Sequence, residues 1–233
     1  YKAKEKGYVC WRMMQELVHI EPINALTTNS MIVEALDCME EHKISDLPVV
    51  DERNKYLGMV SEDALLNAGD DKGTVQTALN LSYSPYVLSG SHPFEVLAVA
   101  AQYRLSVVPV LDHAGGYGSS YMLSHIVEWF RATPTLNQPG AILVLNIEES
   151  QYSMVTISTV VEQNDAKLLG LWMISPDHSG EVKFILKLNV QHSSRIVSSL
   201  QRYGYTIDTV HGDSSFELDY QHRYSHLMNY LKY

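Results

Sequence analysis

The octapeptide Ile44-Ser-Asp-Leu-Pro-Val-Val-Asp51 returns as Leu105-Ser-Val-Val-Pro-Val-Leu-Asp112, 61 residues later. The offset holds without a gap from Glu34/Glu95 through Leu36/Leu97, Ser45/Ser106, Pro48/Pro109 and Asp51/Asp112 to Tyr56/Tyr117. An internal repeat of this length is one supersecondary unit used twice. A single copy would leave apolar strand surface uncovered, and pairing the two buries it.

Each unit reads strand–helix–strand–strand–helix. In the first, Ile32, Ala35, Leu36 and Met39 share one face of a helix predicted over 31–42, with Asn29 or Ser30 as its cap. A buried strand over 47–50, a polar turn over 51–55 and a returning strand over 56–60 follow, with Gly58 permitting a close backbone approach. Ser61, Glu62 and Asp63 open a short helix over 64–67. In the second unit, Ser91 is the expected cap of a helix with Pro93 in its first turn and an apolar face of Phe94, Leu97, Ala98 and Ala101. A strand over 107–111, a turn over 112–116 and a helix over 124–130 complete it.

Residues 131–139, with two prolines and turn-forming residues, read as a linker. Beyond them the pattern changes to strand 141–147, helix 154–163, strands 166–174 and 182–188, helix 192–203 and strand 206–210. Val182, Phe184, Leu186 and Leu188 alternate inward, Lys183 and Lys187 outward, and Gly204 follows the second helix. The order βαββαβ is the ferredoxin-like plan, and the expected class is α/β (α+β). A last helix over 219–231 would carry Tyr220, Tyr224, Leu227 and Leu231 along one stripe, a core or dimer contact. Residues 1–12, with three lysines, read as a leader preceding a start at Met13 or Met14.

A formal net charge of −10 argues against a phosphate-backbone partner, and no apolar run reaches the length of a membrane span. Cys10 and Cys38 form no CxxC, and without an export signal both are expected as reduced thiols in the cytoplasm. His222 and His226 are spaced for a metal pair, but no third ligand or intervening glutamate accompanies them, so surface histidines are the expectation. Gly115-Gly-Tyr-Gly118 lacks the lysine of a phosphate loop and reads as a hairpin turn. No nucleophile, metal set or acid–base pair stands out, so no enzyme is expected.

Ile44–Asp51 followed by Tyr56-Leu-Gly-Met-Val-Ser61, with its echo in the second unit, resembles a tandem CBS pair over 13–130, repeat one being 13–73 and repeat two 74–130. Residues 140–233 are similar in element order to an ACT-type domain, and the combination resembles acetoin-utilisation-type CBS–ACT regulatory proteins. The resemblance implies a symmetric homodimer and a cleft between the repeats for AMP, ATP or S-adenosylmethionine. Such a cleft needs an apolar slot, a carboxylate for ribose hydroxyls and a helix N-terminus for phosphate. In the family a Ser or Thr stands three residues after the strand glycine and an acid six after it. Here Gly58 leads to Ser61, but the acid position is Ala64 and Asp63 stands one residue early. In repeat two the three positions are Ser119, Met122 and His125, and slipping the frame to Gly118 puts Ser124 in the acid position. The resemblance thus implies ligand contacts from Thr27, Val60, Ser61 and Asp63 in repeat one and Leu88, Met122, Ser124 and His125 in repeat two. In the ACT-like part, a backbone amide at Ser153 or Met154 could hold a carboxylate, although Glu148 and Glu149 oppose one.

Overall fold

The computed structural model describes residues 23–68, 73–81, 83–174 and 181–213, and the chain divides into two compact units between Ala132 and Thr133. The leader, the start of repeat one, Cys10, and the last helix with its tyrosine stripe and His222 and His226 lie outside the described residues.

The first unit holds two copies of one layout: β1 (Leu26–Thr27), α1 (Ile32–His42), β2 (Asp46–Val50), β3 (Tyr56–Ser61), α2 (Glu62–Asn67), then β4 (Val87–Leu88), α3 (Pro93–Tyr103), β5 (Val107–Leu111), β6 (Tyr117–Met122), α4 (Leu123–Arg131). Every strand and the first two helices to open, α1 and α3, begin 61 residues apart, as do α2 and α4. Each repeat forms its own three-stranded sheet, in order β1-β2-β3 and β4-β5-β6. The first pair is parallel and the second antiparallel in both. The helix endings repeat too: Lys43 and Arg104 close α1 and α3 at φ 55° and 56°.

The helix starts differ from expectation. Ser30 does not cap α1, because its hydroxyl is engaged by the Thr27 N–H and lies 3.1 Å from the Thr27 hydroxyl. Met31 takes the cap position, and its N–H donates to Glu34. In repeat two His92, not Ser91, is the cap: its Nδ1 accepts from the Phe94 N–H at 3.1 Å, and its own N–H donates to Glu95. The buried face of α3 is Pro93, Val96 and Ala100, while Phe94, Ala98 and Ala101 are exposed and Leu97 is half-buried.

The cores of the repeats are interchanged at their margins. Repeat one's core of Ile32, Ala35, Met39, Leu47, Val49, Val60 and Leu65 takes in Val107 from repeat two. Repeat two's core, built on Val96, Val108, Val110, Tyr121 and Ile126, takes in Tyr56 and Met59 from repeat one. Burial of this apolar surface is the main driving force for the pairing.

The second unit contains a short α5 (Pro134–Asn137), then β7 (Ile142–Glu148), α6 (Met154–Gln163), β8 (Leu168–Ile174), β9 (Glu181–Leu188), α7 (Ser194–Arg202) and β10 (Thr206–His211). The antiparallel sheet runs β10-β7-β9-β8, the ferredoxin-like order. Within the expected linker, α5 is tied to β8 by the Thr135 hydroxyl, which donates to the Leu169 carbonyl at 2.7 Å. Val182, Phe184, Leu186 and Leu188 are buried with Leu143, Leu145 and Ile157. Lys187, expected to face solvent, is only 9% exposed, because its ammonium donates to the Gly140 carbonyl at 2.8 Å.

Candidate functional site

The surface between the repeats is built from reciprocal contacts. At one end the hairpin turns pair: the Tyr56 N–H donates to the Gly115 carbonyl at 3.3 Å and the Tyr117 N–H to the Asn54 carbonyl at 3.0 Å. Asn54 and Gly115 are equivalent positions, both in the left-handed region at φ 61° and 86°. Each turn is folded around an aspartate. Asp51 Oδ1 accepts from the N–H groups of Arg53 and Lys55, and Asp112 Oδ1 from those of Ala114 and Gly116. The N–H groups of Gly116 and then Ala114 hold the Asp112 carboxyl below the usual carboxylate range.

At the other end Ser45 meets its own equivalent, its N–H donating to Ser106 Oγ at 2.9 Å. Here the repeats cease to match. Asp46, only 6% exposed, accepts from the Ser106 N–H at 3.1 Å, the Ser106 hydroxyl at 3.0 Å and the Ser45 hydroxyl at 3.2 Å. Its equivalent is Val107, fully buried in repeat one's core. These contacts relate the repeats by an approximate twofold, with Asp46 as an asymmetric bond across it.

Each repeat also lays the segment before its first strand against the other. The Met59 N–H donates to the Tyr83 carbonyl at 3.0 Å, and a Cβ on Gly58 would stand 2.9 Å from that oxygen, so this strand position needs glycine. The Tyr56 hydroxyl donates to the Pro85 carbonyl at 2.8 Å and the Tyr117 hydroxyl to the Ile23 carbonyl at 2.7 Å. Burial first, then the neighbouring Tyr83 and Tyr117, pushes the Tyr56 phenol far above its ordinary range. It therefore acts as a neutral donor.

The eight residues predicted as ligand contacts fall in three settings. Thr27, Asp63, Leu88 and Ser124 are exposed, and the Thr27 hydroxyl is shared with Ser30. Ser61 caps α2, its Oγ accepting from the Ala64 N–H at 3.2 Å. Val60 is in the core of repeat one, Met122 packs half-buried against that same core, and His125 is 8% exposed in the first turn of α4. Val60 and Met122, from different repeats, thus belong to one core. Asp46, Ser106, Tyr56 and Tyr117, none of them among those eight, make most of the inter-repeat hydrogen bonds described above. The signal for them was in the offset itself: Tyr56/Tyr117 and Ser45/Ser106 are conserved between the repeats, and Asp46/Val107 is not.

Two grooves lie on the helical side of this unit, and none of the eight residues lines either. One of about 590 Å³ is lined by Asp37, Glu40, Lys43, Glu62 and Leu66 among others. The second, of about 420 Å³, is lined by Leu97, Ala100, Arg104, Leu105 and Leu123. Ser45 lines both. In the other unit, a groove of about 400 Å³ is lined by Asn164, Arg195, Ser198, Ser199 and Arg202. In that unit the Ser153 hydroxyl caps α6 by accepting from the Thr156 N–H, so it occupies part of the helix start whose amides could hold a carboxylate. Cys38 is half-buried, and burial, then Glu41, pushes its thiol up, away from a reactive thiolate. Among the described residues no three His, Cys, Asp or Glu side chains are grouped to hold a metal, and no helix is long and apolar enough to cross a membrane.

Among solved structures, the chain is similar to a CBS domain pair/ACT domain protein of Thermotoga maritima, at 17% identity over 51% of this chain and 94% of that one, with a TM-score of 0.43. It is also similar to a proposed acetoin-utilisation protein of Vibrio cholerae, at 20% identity over 45% of this chain and 79% of that one, TM-score 0.40. A third likeness is to CBSX2 solved in complex with AMP, at 20% identity over 45% and 84% of the two chains, TM-score 0.39. Residues 14–71, within repeat one, match the family model described as CBS domain.

Proposed function

We propose that the chain is a non-catalytic regulatory protein of CBS–ACT type, in which the two repeats form a CBS pair that binds an adenosyl nucleotide between them. The ligand class is AMP, ATP or S-adenosylmethionine, the setting cytoplasmic, and the working form a symmetric homodimer, with residues 140–233 as an ACT-type domain of the acetoin-utilisation kind. The observation that carries this reading is the reciprocal interlock of a CBS domain with a second copy of its own layout. A ligand held between two such bodies acts by favouring one arrangement of them over another, by as much as its affinities for the two differ. Ser61 and Asp63 at the start of α2, with Thr27 at the end of β1, supply hydroxyls and a carboxylate on the repeat-one side. Ser124 and His125 supply polar groups at the start of α4.

Calorimetric titration with AMP, ADP, ATP and S-adenosylmethionine, alongside a thermal-shift measurement, tests this. Saturable micromolar binding with a raised melting temperature is expected. Asp63→Ala should weaken it about tenfold, the cost of one charge-assisted hydrogen bond. Unchanged affinity removes Asp63 from the site.

The packing of Met122 favours a second reading, in which side chains fill the clefts and the pair serves as a structural or partner-binding module. Met122 stands where repeat one has Ser61, and Leu88 where it has Thr27, so repeat two offers apolar groups at both positions. Flat titrations at millimolar ligand would select it.

A further inference from the structure

The helix starts on the two sides of the proposed cleft are tied to one another. The Glu62 N–H donates to the Ser45 carbonyl at 2.9 Å and the Leu123 N–H to the Ser106 carbonyl at 2.9 Å. The Ser45 N–H in turn donates to Ser106 Oγ at 2.9 Å, so three hydrogen bonds bring the start of α2 beside the start of α4. A phosphate at such a place is held by free backbone amides, by a cation, or by both. At α2, two of the first three N–H groups are already spent, Glu62 on Ser45 and Ala64 on the Ser61 hydroxyl. Its first turn carries two exposed carboxylates, Glu62 and Asp63, and no basic residue. The first turn of α4 adds no lysine or arginine. Among the described residues of the first unit, Arg53 and Lys55 sit in the β2–β3 turn, at the opposite end of β2 from Ser45, and Arg131 pairs with Glu128. Lys43 and Arg104 line the helical-side grooves, which none of the eight contact residues lines.

We propose that this cleft selects against phosphate and takes a cationic adenosyl compound, S-adenosylmethionine, in preference to AMP or ATP. The inference rests on the adenosyl reading above and decides among its ligands. All three ligands share adenine and ribose, and they diverge at the ribose 5′ carbon. AMP and ATP place phosphate there, close to the Asp63 carboxylate that accepts from the ribose hydroxyls. Like charges then oppose each other, with neither a free cation nor a full set of amides to offset them. S-adenosylmethionine places a sulfonium at the same point, a fixed positive charge that the carboxylate attracts. Glu62, next in the chain, adds to the negative field, although it lines the helical-side groove. The net charge of −10 acts in the same direction at longer range, favouring the approach of a cation over that of a polyanion.

Calorimetric titration of the full chain with S-adenosylmethionine, S-adenosylhomocysteine, AMP and ATP, at one ionic strength, tests this. S-adenosylhomocysteine lacks only the methyl group and, with it, the sulfonium charge. S-adenosylmethionine should bind about tenfold tighter than S-adenosylhomocysteine and at least as far ahead of AMP and ATP. In Asp63→Asn, which keeps an acceptor for ribose and removes the charge, the ratio of the first two affinities should fall towards one, with circular dichroism as the folding control. AMP or ATP binding as tightly as S-adenosylmethionine overturns the selection while leaving the adenosyl reading standing. Equal affinity for S-adenosylmethionine and S-adenosylhomocysteine in the wild type, or a ratio unchanged in folded Asp63→Asn, overturns its basis in charge. Failure of all four to bind at millimolar concentration removes the adenosyl reading and this inference together.

Discussion

Repeats one and two have the same backbone and different chemistry. Strand bounds, turn conformations, Asx-type turns at Asp51 and Asp112, and left-handed closures at Lys43 and Arg104 coincide at one offset. Yet repeat one holds a glycine, a buried carboxylate and an acidic helical face where repeat two holds serine, valine and an apolar one. Shape is set by positions where only certain backbones or packings work, and these are duplicated. The remaining positions have been free to make the two halves complementary instead of identical.

Exchanging residues between equivalent positions breaks that comparison most directly. Val107→Asp gives repeat two the residue of Asp46, but puts a charge in repeat one's core beside an existing carboxylate. We expect a loss of about 4 kcal/mol or more, read as a large fall in the denaturant midpoint. Gly58→Val drives a Cβ onto the Tyr83 carbonyl and should cost about 1–3 kcal/mol. Valine at the equivalent Ser119 should change stability by less than about 0.5 kcal/mol, and equal costs would show that the close approach is not specific to repeat one.

Asp46→Ala leaves the Ser106 N–H and hydroxyl without their acceptor and should cost about 1–3 kcal/mol in urea unfolding. A neutral result would mean that the inter-repeat staple contributes nothing net. The smallest effect concerns Asp112, whose folded carboxyl is held below its unfolded value. Its contribution is complete above the ordinary Asp pKa of about 4 and is lost as pH falls through the lower folded value. The stability difference between wild type and Asp112→Asn should therefore be flat near neutrality and shrink on acidification. A difference that grows in acid would contradict the assignment.

The fold was legible because it is governed by apolar periodicity and by punctuation. Helix 154–163, the inward set Val182, Phe184, Leu186 and Leu188, and Gly204 at φ 88° are local signals that tertiary structure reinforced. Caps were less legible, since several polar residues precede each helix and only geometry decides between Ser91 and His92. The face of α3 was misread by following hydrophobicity alone. Carrying Ile32, Ala35 and Met39 forward by 61 residues gives Pro93, Val96 and Ala100, which are the buried ones. The apolar residues left over, Phe94, Ala98 and Ala101, belong to the exposed face instead. Lys187 looked outward by alternation, but a carbonyl at Gly140 satisfies it in place. At the candidate site, Ser61 was legible as a helix cap, whereas Asp46 was invisible to motif reasoning because its role comes from Ser106, 60 residues away and just before β5.

The most direct test of the central claim is hydrogen–deuterium exchange of the full chain with and without saturating AMP, ATP and S-adenosylmethionine, read peptide by peptide. Ligand between the repeats should slow exchange where β3 meets α2, around residues 60–64, and at the facing residues of repeat two, around 122–125. Exchange unchanged in both stretches with every ligand at millimolar concentration would contradict a nucleotide-binding pair.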